Sequence, residues 1–241
     1  MHSELTTDLS IILSNLNNVK SNGKENVVLL KTGSLNPIHR SHISNMIQTK
    51  KYLEEIYNFN VIGGYLSPTH DHYVGNKLGD ELLPGQLRIE MCQNAIQEEN
   101  QQHWLTVDKA ECLASNFINL NKVASSLQMF LNEKIRLDKP IKVIYVAGLD
   151  LFNRCKGMNG LRQGTMSGGV AVVYRYGQDK SLIQSFIKEN TRKLYFISLD
   201  GDNIQNDISS TLIRQKLKSN ENCSHLTYNS VLQYLQFDSR I

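Results

Sequence analysis

Residues 27–42 read VVLLKTGSLNPIHRSH. The apolar start, Val27–Leu30, predicts a buried strand, and the periodic stretch over residues 41–57 predicts a helix. Gly33 and Ser34 therefore lie on a strand-to-helix turn. The backbone of such a turn can approach a phosphate closely, and the N–H groups at the helix start favour negative charge. The stretch predicts an anion-binding turn.

Two histidines, His39 and His42, follow this turn. They are three residues apart and hence share one face of the predicted helix. For an arbitrary pair of histidines, a partly exposed pair without function is the plainer interpretation. Here Gly33 and Pro37 fix the preceding turn, and a phosphate-binding site accounts for both imidazoles. We therefore predict that this pair binds phosphate.

A second segment, residues 206–214, reads NDISSTLIR. The hydroxyl residues Ser209–Thr211 are strong cap residues for a helix over 211–218, and their hydroxyls can bind either the helix or a ligand. Arg214 lies one turn further along, with a permanently charged, forked side chain that suits phosphate oxygens. Two helix starts that point at one anion would clamp a triphosphate.

Strands and helices alternate along the chain, and several strands are continuous apolar runs such as residues 141–147. This pattern predicts an α/β fold, a Rossmann-like doubly wound parallel sheet with helices on both faces. The predicted strands are 27–31, 60–66, 104–107, 141–147, 170–175 and 193–198, and the predicted helices are 41–57, 85–98, 116–134, 149–155, 179–190 and 211–218. Residues 67–84 and 157–169 are predicted loops. Ligands bind such sheets beyond the strand carboxyl ends. One crevice is expected to collect residues that follow strands: His39, Ser67, Gly148 and Arg175.

The 241 residues suffice for one large domain and are too few for two. We assign residues 27–241 to that domain, and residues 1–26 to an N-terminal helical extension and linker. Within the extension, Asp8 is expected to cap a short helix over residues 9–16.

Composition excludes several function classes. With 26 basic and 23 acidic residues and no long basic block, a nucleic-acid surface is not expected. No apolar run approaches eighteen residues and the first residues lack a basic leader, so neither a membrane span nor a signal peptide is expected. The four cysteines show no CxxC spacing and are expected to be free thiols in a reducing compartment. We expect a cytoplasmic protein, with a nuclear location and a homo-oligomer left open.

The ordered motifs resemble the nicotinamide/nicotinate mononucleotide adenylyltransferases, a family of nucleotidylyltransferases. Residues 33–42 are similar to the (H/T)xxH motif of that family, and residues 206–214 to its ISSTxxR element. Between them, SPxxDxY over 67–73, WxxVDxxE over 104–111 and GxD over 148–150 follow in the family's order. Either end motif alone is weak, whereas the ordered set over nearly the whole chain is specific.

The resemblance implies that the 5′-phosphate of nicotinamide or nicotinate mononucleotide attacks the α-phosphorus of ATP, which releases pyrophosphate and forms NAD or deamido-NAD. Positioning and charge stabilisation supply most of the acceleration, so no nucleophilic side chain is required. Mg²⁺ is expected on the ATP phosphates and water, without a protein metal site. The implied residues are His39, His42 and Arg214 for catalysis, Gly33, Ser34, Gly148, Asp150, Ser209, Ser210 and Thr211 for ATP, and Lys77 and Glu111 for the acceptor. Ser34 is also implied at the acceptor phosphate.

Plainer interpretations stand beside three of these assignments. Asp150 is equally well explained as the N-cap of the following helix. Lys77 and Arg88 could be ordinary surface charges, and Trp104 is expected to be a core or rim aromatic.

The acceptor half departs from the family pattern. Ala110 occupies the position where eukaryotic members carry a tryptophan that stacks on the nicotinamide ring, and Trp104 is the only tryptophan in the chain. A lost stacking partner removes on the order of 1 kcal/mol beyond area burial. Two alternatives therefore remain: a nucleotidyltransferase of the same fold with another phosphorylated acceptor, and an ATP-binding regulatory protein with impaired catalysis. A cytidylyltransferase is disfavoured, because that group usually carries an RTxGIS pattern at the closing element.

Overall fold

The computed structural model describes residues 1–18, 23–162, 168–174, 177–189, 191–198 and 208–235. Arg175 and the first two residues of the segment 206–214 lie outside this part of the chain, as does most of the second half of the predicted loop 157–169.

Six strands and ten α-helices form within the described residues. The strands are β1 Asn26–Gly33, β2 Asn60–Pro68, β3 Leu105–Val107, β4 Lys142–Gly148, β5 Gly169–Tyr174 and β6 Leu194–Ser198. The helices are α1 Ser10–Asn18, α2 Arg40–Ile56, α3 Asp71–Leu78, α4 Gly85–Glu98, α5 Leu120–Lys134, α6 Leu149–Arg154, α7 Met158–Arg162, α8 Ser181–Lys188, α9 Ser210–Lys218 and α10 Asn229–Leu235. A 3₁₀ turn, Gly79–Glu81, follows α3.

All strand pairs of the sheet are parallel, and the strand order is β3-β2-β1-β4-β5-β6. The chain moves outward from β1 to β3, then returns to β4 beside β1 and moves outward the other way. The strand order therefore reverses between β1 and β4, and the crevice at the carboxyl ends of these two strands is where such folds bind ligands. Gly33 and Gly148 end the two strands.

Successive residues of the strands pack into two separate apolar layers. In β1, Val27 and Leu29 join a core that includes residues of α2, α4 and α10, whereas Val28 and Leu30 join a core that includes residues of α1, α5, α6 and α8. This period of two is the expected geometry of a strand buried on both faces. The predicted Rossmann-like parallel sheet with helices on both faces is confirmed.

Helix α1 lies against the sheet. Asp8 Oδ1 accepts a hydrogen bond from the N–H of Ser10, 2.8 Å, so Asp8 caps this helix as predicted. Ile12 is buried, and a Cβ added to Gly63 of β2 would lie only 2.2 Å from its Cδ1. The assignment of residues 1–26 as an extension separate from the domain stays a prediction.

Two helices occupy predicted loops. Helix α3 begins after His70, whose side chain accepts from the N–H of His72, and it carries Asp71 in its first turn and Lys77 in its last, which suits the helix dipole. Only Val74 of this helix is buried, so the apolar periodicity that predicts helices is missing. Helix α7 is short, and its buried Met158 and Leu161 pack into the second core.

Helix α5 begins later than the predicted 116. Asn119 is its N-cap, and the Asn119 side chain accepts from the N–H of Asn121. The cap ends the preceding loop and fixes the first helical residue at Leu120.

Candidate active site at the β1–β4 switch

The turn after β1 is held by bonds to its backbone. The Gly33 carbonyl accepts from the N–H of Thr69, 2.9 Å, and the Ser34 carbonyl accepts from Nη1 of Arg88, 2.7 Å. The side-chain Nδ2 of Asn36 donates to the Glu81 carbonyl, 2.9 Å, and Oδ1 of Asn36 accepts from the N–H of Leu83, 2.8 Å. The turn is therefore fixed before any ligand binds.

Arg88 organises this region from inside the protein. Its side chain is fully buried, and it donates to the carbonyls of Ser34, Leu83 and Thr69 and pairs with Asp71. The alternative that Arg88 is an ordinary surface charge is wrong. A buried guanidinium needs all these acceptors, so Arg88 stabilises the turn rather than contacting a ligand directly.

His39 and His42 form a fixed pair at the start of α2. His39 is the N-cap, with an extended backbone, and its N–H donates to Nδ1 of His42, 3.1 Å. The two rings stack with centroids 3.7 Å apart and planes 29° apart. The imidazoles therefore sit together at the positive end of the helix dipole.

The C-terminal segment is bonded directly to this turn. Arg214 Nη1 donates to the Asn36 carbonyl, 2.8 Å, and Ser210 Oγ donates to the Pro37 carbonyl, 2.8 Å. Further along, Thr227 Oγ1 donates to the Ile38 carbonyl, 2.7 Å. Two segments some 175 residues apart in sequence thus meet, as the shared chemistry of the two motifs predicted. The Arg214 guanidinium binds the carbonyl of Asn36, which precedes His39 by three residues in the sequence.

The three hydroxyls at the start of α9 are used differently. Ser209 is the N-cap, and its Oγ accepts from the N–H of Leu212, 3.1 Å. Thr211 Oγ1 lies 3.5 Å from Nη2 of Arg214 and also accepts. These contacts leave the protons of Ser209 and Thr211 available to a phosphate, whereas the proton of Ser210 is used by Pro37.

Positive charge surrounds the mouth of the site. The pKa of Lys77 is lowered, first by partial desolvation of its ammonium group and then by the charges of Arg154 and Arg214, with Asp150 acting in the opposite direction. Both arginines therefore lie close enough to Lys77 for their charges to act on it. Arg154 does not belong to any of the motifs in the sequence. The spacing of residues does not predict that this exposed residue of α6 lies near Lys77.

One carboxylate, Glu81, partly balances these cations. It accepts from Nε of Arg214, 2.7 Å, and also pairs with Lys218. Hydrogen bonds from Lys218 and Arg214 hold the pKa of Glu81 below its ordinary value. Glu81 fixes the guanidinium of Arg214 on one edge while the Asn36 carbonyl holds the other.

Gly148 is the last residue of β4, and Asp150 follows it at the start of α6, across the β1–β4 crevice from the turn after β1. A Cβ on Gly148 would lie 2.6 Å from Oδ1 of Asp150, so this position needs glycine for the carboxylate to stay where it is. The N-cap of α6 is Gly148, and Asp150 lies in the first turn, so the alternative that Asp150 is itself the cap is wrong. Its carboxylate is exposed and accepts from Nη2 of Arg154, 3.3 Å.

Glu111 lies on the β2–β3 side and is buried. Burial, with the Asp108 charge adding to it, raises the pKa of Glu111 to about 8, although hydrogen bonds from Thr69 and Ser67 and the Arg88 charge oppose the shift. The side chain is therefore mostly protonated at neutral pH. Ala110 is also buried, so its side chain packs inside the protein.

An exposed aromatic pair lies nearby. The rings of Tyr73 and Phe117 stack with centroids 4.7 Å apart, although they are 46% and 40% exposed. Tyr73 is one turn before Lys77 on α3. The motif SPxxDxY includes Tyr73, but the sequence does not indicate its contact with Phe117, because that contact joins a helix predicted as a loop to the loop before α5. Trp104, in contrast, is buried in the first core, as expected.

Among the described residues, no group of three or more histidine, cysteine, aspartate or glutamate side chains could hold a metal ion. In the same part of the chain, no helix has the length and apolar character needed to cross a bilayer. All four cysteines are free thiols. The cytoplasmic location stays a prediction, and the oligomeric state stays open.

A family model described as cytidylyltransferase-like matches residues 30–216. The chain belongs to the cytidylyltransferase-like family. This cytidylyltransferase-like chain is 29% identical over 236 residues to the nicotinamide/nicotinic acid mononucleotide adenylyltransferase of Schizosaccharomyces pombe. The match covers 91% of this chain and 61% of that protein. The corresponding Arabidopsis thaliana protein is 29% identical over 219 residues, 87% of both chains.

The match covers only part of some relatives. Adenylyltransferase 1 of Saccharomyces cerevisiae is 30% identical over 87% of this chain, and the match covers 54% of that protein. The cytidylyltransferase-like chain thus spans between half and two thirds of the length of its yeast relatives.

A solved structure shares the fold. Plasmodium falciparum nicotinic acid mononucleotide adenylyltransferase complexed with NaAD aligns with a TM-score of 0.63 and 14% identity, over 90% of this chain and 97% of that one. The same P. falciparum protein complexed with APC gives a TM-score of 0.60 at 14% identity, over 89% of this chain and 96% of that one. Both likenesses support the Rossmann-like fold of this cytidylyltransferase-like chain.

Proposed function

We propose that this protein joins the AMP moiety of ATP to nicotinamide or nicotinate mononucleotide, releasing pyrophosphate and forming NAD or deamido-NAD. The observation that carries the proposal is the hydrogen bond from Arg214 to the Asn36 carbonyl, because it places the guanidinium on the turn that leads into His39. The names of the relatives support this choice of reaction.

The triphosphate would lie against the turn after β1. The backbone of Gly33 and Ser34 and the N-terminus of α2 offer N–H groups and a positive dipole end. His39, His42 and Arg214 would offset the charge that grows on the leaving pyrophosphate, and Ser209 and Thr211 would donate their protons to phosphate oxygens. In this arrangement Ser210 acts by tying α9 to the turn.

The acceptor phosphate would bind near Lys77. This ammonium group is partly desolvated and is repelled by Arg154 and Arg214, so a bound anion would offset that repulsion and raise the pKa of Lys77 toward its ordinary value. Ser34, on the facing turn, would contact the same phosphate. Held there, the phosphate oxygen can attack the α-phosphorus in line with the leaving group.

The adenosine half of ATP would lie over the end of β4. Gly148 allows close approach of the backbone, and the exposed carboxylate of Asp150 can accept hydrogen bonds from ribose hydroxyls. Because Arg154 holds Asp150 in a salt bridge, a change at either residue would affect ATP binding.

The side chains present suit a magnesium ion that arrives with ATP. Because the described residues offer no cluster of three ligands, such an ion would be held by phosphate oxygens and water, as Mg²⁺ commonly is in phosphoryl-transfer sites. It would supply further neutralisation of phosphate charge. We therefore expect chelation of Mg²⁺ to abolish turnover while the protein stays folded.

A second candidate keeps the same ATP site with a different phosphorylated acceptor. It is favoured by Ala110, because a buried alanine provides no aromatic face for a pyridine ring. The buried Ala110 also favours a third candidate, an ATP-binding regulatory protein without turnover.

One experiment separates these functions. The purified protein is incubated with Mg-ATP and, separately, nicotinamide mononucleotide, nicotinate mononucleotide, phosphopantetheine and glycerol 3-phosphate, and pyrophosphate release is followed. Release with the pyridine mononucleotides alone supports the proposal. Release with another acceptor supports the second candidate, and ATP binding without release supports the third.

A further inference from the structure

The first eight residues take part in a buried hydrogen-bond network around Asp108. His2 Nε2 lies 3.1 Å from Oδ2 of Asp108, and the side chains of both residues are fully buried. Thr7 Oγ1 donates to Oδ1 of the same carboxylate, 2.7 Å, and Thr7 is buried as well. A carboxylate can only accept, so both residues of the N-terminal segment donate to Asp108.

The segment is anchored along its length. The Thr6 carbonyl accepts from the N–H of Lys109, 2.9 Å, and the Asp8 carbonyl accepts from Tyr65 Oη, 2.6 Å. On the other side of the His2 ring, Nδ1 lies 2.9 Å from Oγ of Ser126 on α5. These contacts fix the segment against β2, α5 and the strand end that leads to Glu111.

Ser67 links this network to Glu111. Its hydroxyl lies 3.1 Å from Oδ2 of Asp108 and 3.4 Å from Oε2 of Glu111. One hydroxyl has one proton, so it cannot donate to both groups at once. The conflict disappears when Ser67 donates to Asp108 and the protonated Glu111 donates to Ser67. His2 and Thr7 also donate to the Asp108 carboxylate, so three donors hold it in place.

We propose that His2 and Thr7 are positioning residues of the acceptor site, which fix Asp108 and, through Ser67, orient Glu111 toward the mononucleotide acceptor. The inference rests on the proposed function, since it concerns the acceptor of that same reaction. It assigns a role to a segment that lies before the first strand of the sheet and outside residues 30–216, which match the family.

Removal of one donor would disturb the acceptor side alone. Without His2 or the Thr7 hydroxyl, Asp108 loses a charge-assisted hydrogen bond inside the protein, and Ser67 and Glu111 lose their fixed arrangement. In the proposed function ATP binds at the β1–β4 switch, which these bonds do not reach, so ATP binding would be unaffected. We expect the acceptor KM to rise about tenfold, while the KM for ATP and kcat stay within about twofold.

The test compares Thr7→Val with Thr7→Ser, and His2→Ala with His2→Gln. Valine matches the shape of threonine without its hydroxyl, whereas serine retains the donor. Glutamine can still donate to Asp108. Glu4→Gln is the control within the segment, because Glu4 forms only an exposed ion pair with Lys134, 2.9 Å. Acceptor KM, ATP KM, kcat and the pH dependence of acceptor KM are measured with Mg-ATP and the mononucleotide that gives turnover.

The inference predicts a selective rise in acceptor KM for Thr7→Val and His2→Ala, a shifted pH midpoint of that KM, and recovery in Thr7→Ser and His2→Gln. Unchanged acceptor constants in both deleting variants, or equal losses for both substrates, would overturn it. If His2→Ala does not fold, the isosteric Thr7→Val decides the same question. Wild-type protein without turnover on any pyridine mononucleotide contradicts the proposed function itself, whereas normal wild-type turnover with unchanged variants contradicts only this inference.

Discussion

The proposed triphosphate side and the proposed acceptor side of this site are built in different ways. On the triphosphate side, a glycine turn, a histidine N-cap and a serine N-cap lie within two short segments, which a few hydrogen bonds such as Arg214 to Asn36 bring together. On the acceptor side, Glu111 depends on residues from distant parts of the chain. Local signals are visible in a sequence, whereas buried long-range bonds are not. Individual residues of the proposed triphosphate side could therefore be recognised in the sequence, whereas the acceptor side could be outlined only in general terms.

The largest expected effect is on the triphosphate side. In His42→Ala, kcat should fall by about 10³-fold, because a group that stabilises charge on the leaving pyrophosphate is lost. The cap bond from His39 N–H is lost too, so the unfolding free energy should drop by about 1 kcal/mol. Steady-state kinetics and urea unfolding measure both quantities. A folded variant with near-normal kcat would remove His42 from the phosphate site.

A smaller loss is expected for Arg214→Lys. The three protons of an ammonium lie on one nitrogen, so it cannot span the Asn36 carbonyl, the Glu81 carboxylate and a phosphate as the separate nitrogens of the guanidinium can. We expect kcat/KM for ATP to fall by about 10²-fold. Lys218→Gln is the matched control, since it removes the exposed cation that shares Glu81 on the same helix. Full activity of Arg214→Lys, or an equal loss in Lys218→Gln, would show that only net charge matters.

The smallest effect concerns Glu111 on the acceptor side and appears as a pH dependence. Because the pKa of Glu111 is about 8, the group is neutral below that pH, and its ionisation above it would repel the anionic acceptor. Acceptor KM should therefore rise as pH increases through about 8, and in Glu111→Gln this rise should disappear while KM at pH 7 stays within about threefold. A rise that persists in Glu111→Gln would assign the ionisation to another group.

The same group predicts how stability depends on pH. Its pKa is raised on folding, so its contribution is fully present below the unfolded value of 4.5 and is lost as pH rises to about 8. The unfolding free energy of the wild type should therefore fall over this window. Urea unfolding at several pH values should show a shallower decline for Glu111→Gln, and parallel curves for the two proteins would contradict the shift.

Most of the fold could be predicted from period and composition. The six strands were each placed correctly, because continuous apolar runs such as residues 141–147 mark strands buried on both faces. Helix α3 was missed, since its single buried residue, Val74, leaves no apolar stripe. Short helices held by caps and dipoles, rather than by a core face, give no periodic signal.

The site was predictable where a residue acts through its own local backbone. Ser209 as a cap and the turn at Gly33 follow from residue type and position. The burial of Arg88 could not be predicted, because it depends on which carbonyls the fold brings around the guanidinium. The alternative that Asp150 caps α6 is wrong by two residues, since the N-cap is Gly148. His2 gave no signal at all, since its partner Asp108 is 106 residues away.

A double-mutant cycle tests most directly whether the two distant segments bind one triphosphate. kcat/KM for ATP is measured for wild type, His42→Ala, Arg214→Ala and the double variant. If both side chains contact the same phosphates in the transition state, the double variant should lose at least about tenfold less than the product of the two single losses. Losses that multiply within about twofold would show two independent residues and contradict a common binding site.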